Sequence, residues 1–506
     1  MRGPTTNHAR VQEEKRSTTT IEVSDSVLQA LKDAEEARGN KLSDEAIEQM
    51  RKILDTTREM STKSEADTNT KGENEKFQKD FESLSDLLKP KSVVPKEDIQ
   101  VMKEKVFGPT SFWVTGTLPN PDLEGGVLFR GNLRDDKEVV FRTLNEKTKE
   151  VFGGKYELFM SEDFEAEDLD SKGTTRVRFL VVPAEAAQPP AITRWQVVVC
   201  VILAGLTVGS AFQLGIAANI NRLPPDIVAY FLNPQSMDSS TMIPKLEELD
   251  VGPVLDGAFP IMGAVLACAG IHEAGHFFAA AMRGVKLSPP YFIPNGQIGT
   301  FGAITQFKSL VSNRKDMFDV AIAGPLAGGS AAAALFVYGL ICSMGGDASN
   351  PDLVSIPTAL FNNSFLLGSL CRAVLGGQVF EAKDILIHPM LIAGWCALTT
   401  TALNCLPVGS LDGGRVVQSA WGRRGINISS LLTYAGLGFG IIGGSLSLSW
   451  GLFILICQRV PEKFVKDSVT GVDSKRSNLA WVMVILALLI LFPFSFTLPQ
   501  DQGIFI

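Results

Sequence analysis

Apolar residues are concentrated in the C-terminal part of this chain. Residues 1–76 contain no Phe, Trp or Tyr, whereas long stretches from Trp195 onward carry no charge. A helix that spans a membrane needs about 20 mostly apolar residues. Several such stretches in one globular domain would be unusual, so the pattern predicts a polytopic α-helical membrane protein. The candidate spans are residues 195–219, 256–283, 317–344, 389–407, 429–457 and 479–496.

Two segments leave the number of spans open. The 429–457 stretch carries Gly443 and Gly444 near its middle, which favours a helical hairpin. Residues 357–380 are moderately apolar and include Arg372, so they form either another span or an interfacial helix. The prediction is therefore six to eight transmembrane helices. Positive charge in the loop over residues 284–316 places that loop on the cytosol-like side.

A different pattern precedes the first candidate span. Residues 111–118, 126–133, 156–160 and 175–182 are rich in β-branched and aromatic residues and predict strands, and residues 135–152 predict an amphipathic helix. Residues 92–184 are thus predicted to form a small soluble α+β domain. The membrane part is predicted over residues 195–500.

The N-terminal residues 1–90 are polar and acidic, with too little apolar surface to offset the entropy of ordering the chain. They are predicted to be a disordered tail. Residues 1–20 lack the apolar core of a secretory signal. Their Arg and Thr content fits a transit peptide remnant weakly, and Glu13 and Glu14 count against one.

Charge and cysteine content narrow the function classes. The formal net charge of -8 and the absence of a basic patch with interleaved aromatic residues argue against nucleic-acid binding. All seven cysteines lie at or after Cys200, in or beside apolar segments. None forms a C-x-x-C pair, so we expect them to behave as small buried hydrophobic residues rather than as a disulfide framework.

One motif carries recognisable chemistry. His272-Glu273-Ala274-Gly275-His276 has the pattern H-E-x-x-H. Residues four apart share a helix face, so both imidazoles reach one metal ion, and Glu273 is the candidate general base. Zinc suits this task because it keeps an exchangeable position and lowers the pKa of a bound water to about 7. A structural histidine pair is the competing interpretation.

Composition and depth both weigh against coincidence. With four histidines in the chain, about 0.002 chance matches to this pattern are expected. His272 lies about 15 residues into its apolar stretch, roughly 20 Å along a helix. That depth is well inside a hydrocarbon core of about 30 Å, where ionisable groups are costly and usually functional.

Two imidazoles are too few for zinc, so a third ligand is expected elsewhere. Asp412 is the better candidate, because an apolar span ends near Pro407 and is followed by this lone carboxylate and two glycines. The competing interpretation is an ordinary loop aspartate before a turn. His388 begins a span beside Pro389 and is more typical of an interfacial position than of a ligand.

At these two places the chain resembles the site-2 proteases, the M50 peptidases. Their patterns H-E-x-x-H and N-x-x-P-x-x-x-x-D-G both occur here, the second at Asn404, Pro407, Asp412 and Gly413. The resemblance implies that His272, His276 and Asp412 hold one zinc ion. It also implies that Asn404 binds substrate or the oxyanion, as donors to developing charge do.

The similarity extends to a plant plastid branch of that family, called ethylene-dependent gravitropism-deficient and yellow-green. It covers roughly residues 95–500, and the stretch from Cys457 to Glu462 resembles the second member type. This implies a chloroplast membrane, thylakoid or envelope. The segments that carry the similarity include residues 112–114, 131–134, 220–225, 290–294, 301–308, 393–395 and 450–453.

The resulting hypothesis is an intramembrane zinc metalloprotease acting on a single-span membrane protein in the lipid bilayer, with no nucleic-acid partner. Residues 301–308 alternate enough to form a strand whose edge pairs with an unwound substrate; an ordinary interfacial loop is the alternative. The competing function is a non-catalytic membrane zinc-binding or transport protein. A transporter is expected to show polar residues on several spans and internal repeats, which this sequence lacks. Substrate identity and oligomeric state are not readable from it.

Overall fold

The computed structural model describes residues 94–119, 125–163, 176–223, 228, 250–345, 350, 352–439, 447–457 and 460–493. The tail predicted over residues 1–90 lies outside this part of the chain. A region of mixed strands and helices comes first, and long apolar helices follow. The predicted class, a helical membrane protein preceded by an α+β region, is confirmed at this level.

The α+β region has the elements that its residue pattern predicts. Asp136 caps the main helix, because its carboxylate accepts from the Glu138 amide at 2.9 Å. Gly153 ends that helix in the left-handed conformation, with φ of 59°. The elements are α1 (Lys96–Val101, continued by a π-helical turn over Met102–Val106), β1 (Phe112–Pro119), β2 (Val127–Leu133), α2 (Lys137–Phe152), β3 (Tyr156–Glu162) and β4 (Val177–Pro183).

Long helices alternate with short strands in the remainder of the chain. In order they are α3 (Ala184–Ala187), α4 (Arg194–Ala218), α5 (Gly252–Arg283), β5 (Tyr291–Asn295), β6 (Gly299–Ile304), β7 (Val311–Asn313), α6 (Arg314–Cys342), β8 (Val354–Pro357), α7 (Phe365–Leu375), β9 (Asp384–Ile387), α8 (Pro389–Asn404), α9 (Asp412–Gly438), α10 (Ser447–Cys457), β10 (Val465–Asp467) and α11 (Ser474–Leu491).

Within the described residues, four helices are long and apolar enough to cross a membrane, namely α4, α5, α6 and α11. They coincide with four of the predicted spans, and each begins one to five residues before the predicted start. The coarser prediction of a polytopic membrane protein therefore holds. These four helices do not establish the predicted count of six to eight spans.

The other predicted spans form shorter helices. The stretch predicted over 389–407 is the 16-residue α8. The 429–457 stretch is divided between α9 and α10, and its glycine pair lies outside the described residues. Helix α9 begins earlier than predicted and is kinked at Gly422, where φ is 73°. The 357–380 stretch contains the 11-residue α7 between two 3-10 turns.

Helix α5 is central to the arrangement of the apolar helices. It packs against α6, α4 and α8, and α6 in turn packs against α8 and α9. The two-stranded β5–β6 sheet lies against α4 and contacts α5 and α8. The strand predicted over 301–308 is thus present as β6, although it begins earlier and ends at Ile304.

One sheet joins the α+β region to the apolar helices. Its strand order is β1-β2-β4-β3-β10-β7, so two short strands from the C-terminal part complete it. Strand β10 pairs in parallel with β3 at Asp467 and Met160, and with β7 at Val465 and Val311. Its sequence shows no signal for this pairing, because a three-residue strand has too little periodicity to read. The domain limits 92–184 and 195–500 stay predictions.

Candidate active site

Helix α5 carries the H-E-x-x-H residues in its C-terminal half. His272, Glu273 and His276 are all buried. The four-residue spacing stacks the two imidazoles on one helix face, with ring centroids 4.9 Å apart. Burial of three ionisable side chains on an apolar helix requires partners that offset the loss of hydration.

Asp412 supplies the first of those partners from a distant part of the chain. Its Oδ2 lies 3.1 Å from His272 Nε2 and 3.2 Å from His276 Nε2. The two Nε2 atoms are 3.1 Å apart. Among the described residues these three form a group whose ligand atoms all lie within 4.8 Å of one another. The structure therefore brings together the residues that the sequence singled out.

The donor chemistry of this group fits a bound cation. His276 Nδ1 lies 2.8 Å from the Val320 carbonyl oxygen, which only accepts, so Nδ1 carries the proton. In the neutral ring, Nε2 then presents a lone pair toward the other ligand atoms. A tetrahedral ion with bonds of about 2.0–2.1 Å spaces its ligands about 3.3 Å apart, close to the separations seen here. A carbonyl on the remote ring nitrogen is also the usual support of a metal-binding histidine.

Glycines on α6 allow that helix to lie against the histidine face. A Cβ on Gly324 would lie 2.2 Å from His276 Nε2, and one on Gly328 would lie 2.6 Å from the His272 Cβ. Any larger residue would therefore displace an imidazole. The close approach also brings the Val320 carbonyl, one turn before Gly324, within reach of His276.

Asp412 is fixed at the first turn of α9. The preceding residues 405–411 turn back without helical structure after α8 ends, which is tolerated at membrane depth where the backbone is buried in protein. A helix N-terminus favours a carboxylate. The following Gly413 is required by packing, because a Cβ there would lie 2.0 Å from the Cys405 carbonyl oxygen.

Among the residues that the structure describes, the Glu273 side chain has one hydrogen-bond partner. Thr305 Oγ1 donates to Glu273 Oε2 at 2.5 Å, and both side chains are buried. A small cavity beside them is lined by His272, Glu273, Gly302, Thr401 and Asn404, among others. Glu273 thus lies next to His272 and borders a cavity, with one carboxylate oxygen hydrogen-bonded to Thr305. A carboxylate in such a position can accept a proton from a water molecule.

The chain is similar in sequence to known proteins. The Peptidase family M50 model matches residues 260–442, and the EGY3 middle domain model matches residues 100–190. The chain is 46% identical over 428 residues to the probable zinc metalloprotease EGY1, chloroplastic, of Arabidopsis thaliana, covering 85% of this chain and 77% of that protein.

The chain belongs to the M50 peptidase family, in its plastid EGY branch. It is 32% identical over 415 residues to Arabidopsis EGY2, which covers 82% of this chain and 68% of that protein. Identity to EGY3 of Oryza sativa subsp. indica is 28% over 386 residues, covering 73% of this chain and 60% of that protein. The sequence motif at Cys457–Glu462 favoured the second member type, but this M50 peptidase is more similar to EGY1 than to EGY2.

No solved structure matches this M50 peptidase. Its EGY relatives carry the name probable zinc metalloprotease, chloroplastic. The predicted class, a metalloprotease of the site-2 type in a chloroplast membrane, agrees with that family and with the long apolar helices.

The remaining predicted residues of this M50 peptidase have structural contacts of their own. Asn404 Nδ2 donates to the Phe301 carbonyl at 3.1 Å, which ties the end of α8 to β6. Its role as a substrate or oxyanion donor stays a prediction. His388 is the N-cap of α8, where its Nδ1 accepts from the Met390 amide at 3.2 Å.

Sequence reasoning missed Thr305 and Arg415. Thr305 contacts Glu273, and Arg415 Nη1 donates to the Thr305 carbonyl at 2.9 Å. The only signal for Arg415 was its position, since it is a charged residue three positions after Asp412. The Thr305 hydroxyl gave no signal, because threonine is common in strands and turns.

Proposed function

We propose that this chain hydrolyses a peptide bond of a membrane-spanning protein, using one zinc ion held by His272, His276 and Asp412 and a proton carrier, Glu273. The convergence of two imidazole nitrogens and one carboxylate oxygen, each about 3.1–3.2 Å from the next, carries this proposal. Two nitrogens and one oxygen form a donor set that zinc accepts in catalytic sites. When bound, zinc polarises the attacking water and the scissile carbonyl.

The protein's own residues then perform the proton chemistry. Glu273 accepts the proton of the attacking water and gives it to the amide nitrogen that leaves. The Val320 carbonyl keeps His276 in the tautomer that presents Nε2. Asp412 offsets the charge of the site inside the apolar bundle, where an unpaired ion would be costly.

Strand β6 is the proposed docking edge for an unwound stretch of a single-span substrate. Thr300 and Gly302 of β6 line the cavity beside His272 and Glu273. Thr400 Oγ1 donates to the Thr300 carbonyl at 2.7 Å, which holds β6 against α8. A substrate that adds to β6 by backbone hydrogen bonds would present its peptide bond to the site.

The proposed membrane arrangement has more spans than the four long helices. Helix α8 is largely buried among α5, α6 and α11. Because α8 leads into the loop that precedes Asp412, it also crosses the apolar layer. Helices α9 and α10 pack against each other and are counted as two more. The proposed total is seven spans, within the six to eight predicted from the sequence.

The test is cleavage of a single-span substrate by the purified protein in lipid bicelles. We expect two fragments, loss of cleavage with a zinc chelator, and recovery when zinc is restored. Zinc flux into proteoliposomes without any fragment would instead support the transport function. Zinc bound with neither activity would leave only the non-catalytic binding function.

A further inference from the structure

We propose that Thr305 is a positioning residue for the general base, and that a buried Arg415–Glu462 pair fixes Thr305 to the helix that carries Asp412. This inference rests on the proposed peptidase function. It adds three residues outside the H-E-x-x-H and N-x-x-P-x-x-x-x-D-G patterns to the machinery of the site.

The first contact orients Glu273. The Thr305 hydroxyl donates to Glu273 Oε2 at 2.5 Å, and both residues are buried. A hydrogen bond to a charged oxygen is stronger than one between neutral groups. It selects one rotamer of a flexible side chain and leaves the second carboxylate oxygen available for the proton of the water.

The second contact holds the backbone of Thr305. This residue follows the end of β6, so no strand pairing of β6 extends to it. Its carbonyl instead accepts from Arg415 Nη1 at 2.9 Å. The Arg415 guanidinium also lies over the Phe307 ring, 4.5 Å from its centroid. Arg415 thus contacts the residues on both sides of Gln306, namely Thr305 and Phe307.

The third contact neutralises Arg415. The Arg415 side chain is buried, and its Nη2 lies 3.5 Å from Oε2 of Glu462, whose side chain is 9% exposed. The Gln418 side chain holds the backbone of Glu462. Its Nε2 donates to the Glu462 carbonyl at 2.8 Å, and its Oε1 accepts from the Glu462 amide at 3.0 Å. A buried arginine without a carboxylate partner would be costly.

These contacts link the general base to the third metal ligand. Arg415 lies one turn after Asp412 on α9, so the same turn of helix carries a ligand and the group that fixes Thr305. Glu273 and Asp412 come from helices that are remote in sequence. Their relative position is therefore set by a polar chain rather than by α5 alone, as a well-ordered site requires.

The first experiment compares Thr305→Val with Thr305→Ser in the purified full chain, with a single-span peptide in bicelles as substrate. Valine keeps the shape and removes the donor. We expect kcat to fall about 10- to 100-fold, the range for losing a hydrogen bond to a charged group. We expect KM and zinc content to stay within about twofold, and serine to restore most of kcat.

Thr433→Val is the matched control, because Thr433 is a buried threonine of α9 outside the site. It should leave kcat unchanged. A wild-type protein that cuts no substrate would contradict the proposed function. If the wild type cuts the substrate, either of two results would overturn the positioning role. One is full kcat in Thr305→Val, and the other is a Thr305→Ser variant no more active than Thr305→Val.

The second experiment tests the Arg415–Glu462 pair with a double-mutant cycle. Glu462→Gln removes the charge and keeps the size, and we expect a smaller fall in kcat than for Thr305→Val. If Glu462 acts through the Thr305 hydroxyl, the double variant falls no further than Thr305→Val alone. Losses that multiply would show independent action and would overturn the link.

Discussion

At the scale of single residues, hydrogen bonds to neighbouring groups decide what each ionisable group can do. The Val320 carbonyl fixes the proton of His276 on Nδ1. The Thr305 hydroxyl donates to one oxygen of Glu273, and within the described part of the chain the other oxygen accepts no hydrogen bond. Each contact assigns one role, ligand or proton carrier, to a side chain whose chemistry would allow several.

Replacing Glu273 by Gln should abolish hydrolysis and leave zinc bound. Glutamine nearly matches glutamate in size and keeps an oxygen for Thr305, but it accepts no proton from water at neutral pH. General bases contribute about 10²- to 10⁴-fold, so near-complete loss is expected. Zinc content and cleavage should be measured on the same preparation. Activity retained with zinc present would remove Glu273 as the base.

Replacing Asp412 by Ala should weaken zinc retention. The two histidines would remain, but two ligands are fewer than zinc sites require. Metal analysis after dialysis should find about one zinc per chain in the wild type and clearly less in the variant. Asp384→Ala, at an exposed position of β9, is the control that should keep its zinc. Equal retention in Asp412→Ala and the wild type would exclude Asp412 as a ligand.

At the scale of elements, the site depends on how closely α6 approaches α5. Gly324 faces His276 and Gly328 faces His272. This contact leaves no room for a side chain, and it also brings the Val320 carbonyl to His276. The glycines are therefore part of the site even though they carry no functional group.

Two glycines of α6 provide a matched pair of variants. Ala at Gly324 would place its Cβ 2.2 Å from His276 Nε2, whereas Ala at Gly329 would meet only the Thr401 methyl at 3.5 Å, an ordinary contact. Overpacking typically costs about 1–3 kcal/mol. We expect Gly324→Ala to lose zinc and cleavage, and Gly329→Ala to keep both. Loss in both variants would mean that helix stability, not access to His276, explains the effect.

At the scale of the whole molecule, the α+β region and the apolar helices share one sheet. Strand β10 lies between β3 and β7, and α6 begins directly after β7. The Arg314 side chain, at the first residue of α6, donates to the Ser419 carbonyl at 2.7 Å and to the Val469 carbonyl at 3.3 Å. The α+β region thus contacts the helix that carries Asp412 through a short chain of residues.

Two N-terminal truncations should therefore differ. Removal of residues 1–90 should leave cleavage intact, because that segment holds no predicted site residue. Removal of residues 1–190 should strongly reduce cleavage and folded yield, because β10 would lose β3 and Ser468 would lose its hydrogen bonds to the Met160 carbonyl. Yield, thermal stability and cleavage are the measurements. A shorter chain that folds and cuts normally would show that the shared sheet is dispensable.

The sequence by itself determined the features that depend on local pattern. Apolar runs of sufficient length predicted α4, α5, α6 and α11. The four-residue spacing of His272 and His276 predicted that they share a face, since helical geometry alone fixes it. β-Branched and aromatic residues likewise predicted the four strands of the α+β region, and an amphipathic helical pattern predicted its helix α2.

Only the tertiary structure decided the contacts between distant segments. Asp412 lies 140 positions from His272, and its meeting with the histidines depends on the packing of α8 and α9 against α5 and α6. From the residues alone Asp412 was also consistent with an ordinary loop. The bond from Thr305 to Glu273, the Arg415–Glu462 pair and the strand β10 had no local signal. Each is a single contact set by packing, and a periodic pattern does not encode which remote residue fills that position.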